Sequence, residues 1–401
     1  QKHGIPFDLS VPHLEPEWDL IEYHKKVGAG FYVPNLNSYF DVSLPPDVVA
    51  TTTKEMTPQG PEITWRLETP IGAIERKRQW EEQSYSWNVS QWGVRTPQDL
   101  QVLGYALSRF QYQPAWERYT PWVESLGGYG VVYVSIGYSA MGHLLGYWMG
   151  IEETIYASVD MPNVLREVVD QINNNILNCV DMVCQSPAEV IIMGDNFSGD
   201  IQPPSFFRRW SEPFYAEAIR RVREAGKYSA IHIDGRLKGI LKCFADLGAS
   251  CADAVTPAPM GDLSPRQCRE EAGPDMVLSG GVPPNLWLPE VRAALRNADV
   301  VMPSLDSAVQ ETFDTVCRPH RSLDVLTIID GLTLFRNEFH GTIWLEILFV
   351  QGLNDTEPEI AALEGAIARI RPDAVHLNTV VRPPAESGVM PVSPEVLDSI
   401  R

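Results

Sequence analysis

The sequence predicts an α/β protein built as a (β/α)8 TIM-barrel-like fold, with an irregular N-terminal extension and an atypical C-terminal portion. From about Gly130 onward, short apolar segments alternate with longer helical ones, a pattern typical of a mainly parallel sheet. Eight apolar segments occur in this region, which is the strand number of such a barrel. A length of 401 residues fits two or three domains, or one barrel with an addition.

Residues 1–125 form the predicted N-terminal extension, which is rich in proline and aromatic residues. Within it, Ile63–Trp80 is predicted to be a β-hairpin, because Thr69-Pro-Ile-Gly72 supplies suitable turn residues. A helix is predicted to begin at Thr96-Pro-Gln-Asp99. Thr96 is a good N-cap, Pro97 suits the first helical position, and Asp99 completes a capping-box-like pattern.

Residues 126–285 and 286–401 form the second and third predicted parts, and they hold the alternating elements. The eight predicted strands are Val131–Ile136, Val190–Asp195, Ser229–Asp234, Cys251–Thr256, Met276–Gly281, Val300–Leu305, Thr342–Val350 and Ala374–Val380. The predicted helices are Met161–Cys184, Pro204–Ala225, Leu237–Leu247, Leu288–Asn297 and Glu357–Ile370. In this barrel the site is lined by residues at the carboxyl ends of the strands, so candidates are sought there.

The first candidate pair lies at the end of the third strand, in the sequence SAIHIDGRL. Strand alternation predicts that His232 and Asp234 point to the same side. A histidine with a carboxylate suits metal ligation or acid–base catalysis. The alternative interpretation is that Asp234 caps the following helix while His232 bonds to the backbone. The residues themselves leave both interpretations open.

Further candidates lie at neighbouring strand ends. Asp195 and Asn196 follow an apolar strand and could hold a substrate carbonyl, a proton or a metal, although a turn at the strand end explains them equally well. Cys251 and Asp253 also alternate to one face. With His232 and Asp234, Cys251 would complete a zinc set, whereas a lone strand cysteine is more often buried core. The predicted substrate-binding residues are Tyr138, Asn196, Arg236 and Thr256.

The segment Gly137-Tyr-Ser-Ala-Met-Gly142 resembles the nucleophile elbow of serine hydrolases. Its second glycine comes one residue too late for the G-x-S-x-G pattern, on which the strained turn of the elbow depends. A serine hydrolase is therefore disfavoured. Tyr138 still stands where it would line the mouth of a site.

Composition excludes several classes of partner. The chain carries 32 Lys and Arg against 52 Asp and Glu, a formal net charge of −20, which argues against nucleic acid and anionic membranes as partners. No run of 18 apolar residues and no apolar leader segment occurs. The six cysteines form no C-x3-C-x2-C group, so no iron–sulfur cluster is expected. These features predict a cytoplasmic protein with free thiols, and they leave a homodimer open.

Residues from about 60 to 285 resemble the uroporphyrinogen decarboxylase superfamily. The similar stretches are TPIGAIERK, GYSAMGHLLGYWMGIEETIY, GDNFSGDIQPPSFFRRWSEPFYAEAIRRVREAGK, IHIDGRLKGILKCFADLGASCADAVTPAPMGDLS and LSGGVPPNLW. The resemblance implies a (β/α)8 barrel. It also implies either a porphyrinogen decarboxylase or a zinc-dependent methyltransferase that passes methyl groups to or from a corrinoid protein.

The methyltransferase branch is the closer match. The R-Q-A-G-R motif of the decarboxylases is missing from this sequence, and His232 matches the histidine of the methyltransferases' His-x-Cys zinc motif, although Asp234 replaces the cysteine. The resemblance therefore implies methyl transfer from a small methylated or methoxylated compound to a corrinoid protein. Zinc would be held by His232, Asp234 and Cys251, or Asp195 or Asp234 would act as the acid. The alternatives are a carbon–carbon lyase, with Arg236 holding a carboxylate, and a catalytically inactive fusion.

Residues 286–401 resemble the C-terminal half of a radical SAM iron–sulfur oxidoreductase. The similar stretches are SLD, CRPH, GLND and LNTVVRPPAE. The cluster-binding half of that family has no counterpart here, so no radical chemistry is predicted from this chain. A join between two families near Gly281–Trp287 is therefore expected.

Overall fold

A computed structural model describes residues 21–22, 25, 31–35, 39–81, 86–258, 261–280, 286–296, 298, 300–319, 323–380 and 389–400. The chain packs as two compact units. Of the described residues, those within Leu9–Val255 and Arg269–Gly280 form the larger unit, and those within Thr256–Cys268 and Gly281–Arg401 form the smaller one. The predicted division into residues 1–125, 126–285 and 286–401 stays a prediction.

The strands of the described residues are numbered in chain order. They are β1 (Phe31–Asn35), β2 (Phe40–Ser43), β3 (Val49–Thr57), β4 (Gly60–Thr69), β5 (Gly72–Glu81), β6 (Ser86–Gln91), β7 (Gln111–Pro114), β8 (Gly130–Ser135), β9 (Val190–Phe197), β10 (Tyr228–Ile233), β11 (Cys251–Val255), β12 (Val277–Gly280), β13 (Val300–Val301), β14 (Thr342–Phe349) and β15 (Ala374–Thr379). The eight strands predicted from about Gly130 onward are confirmed as β8 to β15, except that Gly281, the last residue of the fifth, lies outside the described residues. The sixth is much shorter than predicted.

The larger unit is organised around a six-stranded parallel sheet in the order β1-β8-β9-β10-β11-β12. Because these strands run in one direction, the carboxyl ends of β8 to β11 lie along one edge. In the smaller unit, β13, β14 and β15 form a separate parallel sheet. The α/β class with parallel strands is thus confirmed. Closure into an eight-stranded barrel stays a prediction, because the described strands pair as sheets of six and three.

The helices follow the strands as the alternation predicts. Their bounds are Pro97–Leu107, Thr120–Leu126, Ala140–Gly142, Ile151–Asp160, Pro162–Cys184, Pro204–Trp210, Glu212–Glu224, Ile240–Asp246, Pro265–Ala272, Pro289–Leu295, Gln310–Val316, Val325–Glu338, Glu357–Ile370 and Pro394–Ile400. A 3-10 turn occupies Trp116–Arg118, and a π-helical segment occupies His143–Trp148. Among the described residues, no helix combines the length and apolar character needed to cross a membrane.

One predicted helix is divided. The segment expected to run from Pro204 to Ala225 breaks at Ser211 into two helices. Pro213 has no N–H to donate to the carbonyl of Arg209, so a continuous helix would lose that bond and meet a steric clash. The side chain of Arg166 donates to the freed carbonyl of Arg209 instead. The break is therefore a consequence of the proline.

A four-stranded antiparallel sheet, β3-β4-β5-β6, lies in the chain between β1 and β8 of the parallel sheet. Its central hairpin confirms the prediction for Ile63–Trp80, since β4 and β5 pair from Glu62 with Gln79 to Thr69 with Gly72. The helix Pro97–Leu107 packs against β4 and β5. The predicted cap is also confirmed, because the Thr96 hydroxyl accepts from the Asp99 N–H and the Asp99 carboxylate accepts from the Thr96 N–H.

Candidate active site

The most irregular part of the parallel sheet is a bulge near the carboxyl end of β9. Ile231 pairs with Met193 and Ile233 pairs with Phe197, so three residues of β9 stand opposite the single residue His232. Gly194 lies so close to β10 that a Cβ there would come within 2.5 Å of the His232 carbonyl oxygen. Asn196 adopts a left-handed backbone with φ 52°. Bulges re-aim side chains at sheet ends, and this one sets the direction of Asp195.

A cluster of aromatic side chains packs around Phe197, the last residue of β9. The ring of Phe197 lies 4.8 Å from Phe244, 5.1 Å from Tyr215 and 5.6 Å from Phe207, with all three pairs edge to face. All four side chains are almost fully buried. Close-packed rings of this kind resist repacking, so the bulge has a rigid base.

The Asp195 carboxylate meets the segment that follows β8. Its Oδ1 accepts from the Ser139 N–H at 2.8 Å, and its Oδ2 accepts from the Ser139 hydroxyl at 2.5 Å. Ser139 also caps the helical turn Ala140–Gly142, because its oxygen accepts from the Gly142 N–H at 3.2 Å. Asn173 fixes the same turn by accepting from the Ala140 N–H at 2.9 Å. Ser139 therefore binds the Asp195 carboxylate and caps the helical turn. These contacts do not indicate a nucleophile.

Gly142 permits this close approach. A Cβ at Gly142 would lie 2.2 Å from the Asp195 Oδ1 and 2.8 Å from Tyr138 Cδ1. Non-bonded atoms do not approach this closely, so any larger residue at position 142 must displace the Asp195 carboxylate or Tyr138. The second glycine of the sequence GYSAMG thus serves the Asp195 contact.

The environment raises the pKa of Asp195 to about 6. Burial is the largest cause, because the ionised form is poorly solvated among the surrounding protein atoms. The hydrogen bonds from Ser139, and the hydroxyl of the buried Tyr215, lower the pKa by less than burial raises it. A carboxyl group with a pKa near 6 can give or take a proton close to neutral pH.

His232 stands on the next strand, beside a buried carboxylate. Its Nδ1 lies 2.9 Å from the Asp253 Oδ2, across the β10–β11 register pair that joins these residues. The His232 side chain is 38% exposed, whereas that of Asp253 is only 6% exposed. In the neutral ring this contact places the proton on Nδ1, which leaves Nε2 as an acceptor on the open side. Asp253 therefore orients His232.

A second bulge lies beside Asp253. Ala252 pairs with Leu278 and Val255 pairs with Gly280, so β11 has an extra residue relative to β12. Ala254 takes a left-handed backbone with φ 65°, a conformation that costs a residue with a Cβ about 1 kcal/mol. Strained backbone of this kind is concentrated at functional sites. Bulges on β9 and β11 thus flank the strand that carries His232.

The other predicted site residues are Tyr138, Asn196, Asp234, Arg236 and Thr256. Tyr138 follows β8, and its ring meets Tyr147 at 5.0 Å. Asp234 and Asn196 are exposed, and the Asp234 N–H donates to the Phe197 carbonyl. Arg236 is exposed and lies 3.5 Å from the equally exposed Asp200. Thr256 is assigned to the smaller unit.

Cys251 is packed as a core residue. It pairs with Ala230, two residues before the His232–Asp253 pair, and it clusters with Tyr133, Ile192 and Ala230. Burial raises the pKa of its thiol to about 11, so it is protonated at neutral pH. Among the described residues, no three His, Cys, Asp or Glu side chains stand close enough to hold a metal ion. As placed, His232, Asp234 and Cys251 do not fit a zinc site.

Several residues of the site were not among the predicted ones. Ser139 and Gly142 belong to the segment that resembles an imperfect nucleophile elbow. A glycine soon after a strand is the signal that could have indicated a close contact there. Asp253 was noted as a neighbour of Cys251 on one strand face. Tyr215 lies on a helix whose apolar face predicts only core packing, so no sequence pattern identified it.

Comparison with known proteins places much of this site within one family match. Residues 138–298 match the family model for uroporphyrinogen decarboxylase (URO-D). Among curated proteins, the chain is 35% identical over 97 residues to a GTPase Obg of Brachyspira hyodysenteriae, over 24% of this chain and 14% of that protein. It is 29% identical over 115 residues to a UPF0026 protein of Methanocaldococcus jannaschii, over 29% of this chain and 36% of that protein. The chain thus spans between about a seventh and about a third of these relatives.

Solved structures resemble the chain only weakly. A methyltransferase from Methanosarcina mazei is 17% identical, with a TM-score of 0.36 over 53% of this chain and 63% of that one. A radical SAM methyltransferase from Sphaerobacter thermophilus is 11% identical, with a TM-score of 0.24 over 88% of this chain and 73% of that one. The radical SAM resemblance of residues 286–401 stays a prediction. The family match over residues 138–298, which contains Asp195, His232 and Asp253, supports the uroporphyrinogen decarboxylase superfamily for that part of the chain.

Proposed function

We propose that the protein is a methyltransferase of the uroporphyrinogen decarboxylase superfamily. It moves a methyl group from a small methylated or methoxylated compound to a corrinoid protein. The proposal is carried by the presence of Asp195, whose pKa is raised to about 6, on β9 and of His232, oriented by Asp253, on the adjacent strand β10. Both residues lie in the part of the chain that matches the family model.

In this proposal, Asp195 is the acid. When the methyl–oxygen bond of the donor breaks, the methyl carbon bonds to the acceptor through the acceptor's electron pair. The leaving oxygen takes the proton of the Asp195 carboxyl group, so no unstable alkoxide forms. With a pKa of about 6, roughly a tenth of these groups are protonated at pH 7. The corrinoid protein would supply the nucleophile that receives the methyl group.

His232 is assigned the role of positioning the donor. Its Nδ1 is fixed by Asp253, and Nε2 has no hydrogen-bond partner among the described residues. An imidazole fixed in one tautomer accepts a hydrogen bond in a constant direction. It can therefore hold a hydroxyl or amine hydrogen of the donor near Asp195.

Asp253→Asn tests this orientation. We expect the rate of methyl transfer to fall at least about tenfold, because the amide no longer selects the Nδ1–H tautomer of His232. The measurement is the transfer of labelled methyl from candidate donors to reduced cobalamin, which stands in for the corrinoid protein. Asp246→Asn is the matched control, since Asp246 is exposed and pairs only with Lys242 on its own helix. Equal losses in both variants would refute the role of Asp253.

Zinc is a separate, testable part of the proposal. No step above passes through a metal, because His232, Asp234 and Cys251 do not meet as ligands. Elemental analysis of the purified protein beside His232→Ala tests the zinc prediction directly. About one zinc per chain, lost in the variant, would mean that His232 is a ligand within a set different from the predicted one.

A carbon–carbon lyase is the second candidate. It is favoured by two arginines near Tyr138, Arg76 and Arg78, which have no carboxylate partner among the described residues. Such cations suit a substrate that carries a carboxylate, which a decarboxylase would release. Production of carbon dioxide without transfer of labelled methyl would favour this function over methyl transfer.

A further inference from the structure

The antiparallel sheet carries two cations on its buried face. Along β5, the side chains of Ile74, Arg76, Arg78 and Trp80 alternate to one side. Ile74 is 3% exposed, Arg76 is 6% exposed and Trp80 is 8% exposed, so this side is the core face. Arginines are seldom buried without a paired acid.

Arg76 is held by aromatic rings. Its guanidinium lies 4.1 Å from the Trp65 ring centroid, 4.7 Å from Tyr147 and 5.1 Å from Trp148. Its Nη1 donates to the Tyr147 carbonyl at 3.3 Å. Its Nε is buried and has no hydrogen-bond partner among the described residues. Cation–π contacts fix the guanidinium but leave its charge unneutralised.

Arg78 lies two residues further along β5, on the same face as Arg76. Its guanidinium lies 5.4 Å from the Tyr147 centroid, and its Nε is likewise buried without a partner. The residue as a whole is partly exposed, so its terminal nitrogens are the ones that an incoming molecule can reach. Among the described residues, no carboxylate forms an ion pair with Arg76 or Arg78.

On the opposite face of β5, the basic side chain is paired with carboxylates. There Lys77 lies 3.1 Å from Glu62 and 3.9 Å from Glu75. The exposed face thus pairs its cation, although pairing matters less in water. On the buried face, burial and the charge of Arg78 lower the pKa of Arg76 to about 10. Burial, together with the charge of Arg76, lowers the pKa of His143 to about 4.

This cation pair lies beside the Asp195 site. Tyr147 contacts both arginines and also meets Tyr138 at 5.0 Å. Burial is the main cause that raises the pKa of Tyr138. The charge of Asp195 also raises this pKa, whereas the charge of Arg78 lowers it. Tyr138 is thus within electrostatic reach of both groups.

We propose that Arg76 and Arg78 form a subsite for the carboxylate of a small organic substrate, next to Asp195. Arg78 binds the carboxylate directly, and Arg76, stacked behind it, supplies positive potential. The planar guanidinium matches a carboxylate in shape, and charge-assisted hydrogen bonds of this kind are the strong ones. Binding of the anion requires no assumption about the reaction. That the same molecule is the methyl donor rests on the proposed function.

The test is binding of benzoate to the full chain, measured by ligand-observed NMR titration, beside the neutral benzamide and inorganic phosphate. We expect benzoate to bind, benzamide to bind at least about tenfold more weakly, and Arg78→Gln to weaken benzoate binding by about tenfold or more. Arg78→Lys keeps the charge and should retain part of the affinity. Lys77→Gln, on the opposite face of the same strand, is the matched control and should bind benzoate as the wild type does.

Three outcomes would overturn the subsite. They are equal binding of benzoate and benzamide, no binding of benzoate, and an unchanged affinity in Arg78→Gln. If phosphate binds through Arg78 and benzoate does not, the carboxylate subsite is refuted and Arg78 binds a different oxyanion. Turnover distinguishes this inference from the proposed function. If benzoate binds through Arg78 but labelled 4-methoxybenzoate transfers no methyl group, the subsite stands and the donor assignment fails.

Discussion

Asp195→Asn is expected to reduce methyl transfer by about two to four orders of magnitude, the usual contribution of a positioned acid. The asparagine keeps the size of the side chain, and its carbonyl oxygen can still accept from the Ser139 N–H. What it loses is the proton that the leaving oxygen needs. The measurement is the rate of transfer of labelled methyl to reduced cobalamin, compared with the wild type at each pH.

The pH dependence supplies a second check. In the proposed mechanism the acid form of Asp195 is the active one, so the rate per enzyme should fall as pH rises through about 6, and Asp195→Asn should lack this step. An unchanged rate in the variant, or a wild-type rate that rises through pH 6, would refute the acid role. Asp200→Asn is the matched control, since Asp200 is 63% exposed and forms only a long contact with Arg236.

The same substitution should stabilise the fold at neutral pH. The pKa of Asp195 is raised from 3.8 to about 6 in the folded state, so the folded protein binds more protons than the unfolded one between those values. Its free energy of unfolding therefore falls as pH rises from about 4 to 6. Removing the charge should recover about 2–3 kcal/mol at pH 7 and nothing below pH 4. Urea unfolding at both pH values measures the difference.

Much of the fold was predictable because it depends on local pattern. The strands β8 to β12 are short, mostly apolar runs that end in or beside glycine or polar residues, and the sequence predicts each to within about two residues. Pro213 carries the information that divides one predicted helix, yet proline is also frequent in the first turn of a helix. The position of Pro213 alone therefore does not show whether it breaks a helix or lies in the first turn of a new one.

The site was predictable only in part, because it depends on contacts between distant segments. Asp195 and His232 stand at strand ends, which the fold class identifies. The contact between Asp195 and Ser139 spans 56 residues, and no local pattern encodes it. The bulges are also invisible to a strand prediction, since Gly194 and Ala254 fit an ordinary turn equally well. Asp234 was selected by alternation from His232, but the strand ends at Ile233 and leaves Asp234 exposed.

Gly142→Ala is the substitution with the largest expected effect on structure and activity together. The added Cβ would stand 2.2 Å from the Asp195 Oδ1, so the carboxylate must move or the helical turn must shift. Overpacking of this kind costs roughly 1–3 kcal/mol. Displacing Asp195 also removes the acid from its place, so methyl transfer should fall about as far as in Asp195→Asn. Chemical unfolding and the transfer assay measure both effects.

Gly146→Ala is the matched control, because a Cβ at that glycine meets no atom within 4 Å. Gly146 lies four residues further along the chain, in the π-helical segment that follows the turn Ala140–Gly142, and is exposed. Alanine is intrinsically the better helix former, so Gly146→Ala should be neutral or stabilising by up to about 1 kcal/mol. If Gly146→Ala and Gly142→Ala lose similar stability, the loss in Gly142→Ala does not arise from the contact with Asp195.

A double-mutant cycle isolates the contact itself. Asp195→Ala removes the carboxylate that the new methyl group would strike, so Gly142→Ala should be much less destabilising in that background. We expect a coupling free energy of about 1–3 kcal/mol, as for residues in direct contact. Stability should be partly recovered in the double variant while activity stays lost, because the acid is absent. Additive effects, with no coupling, would show that Gly142 does not hold the Asp195 carboxylate in its place beside Ser139.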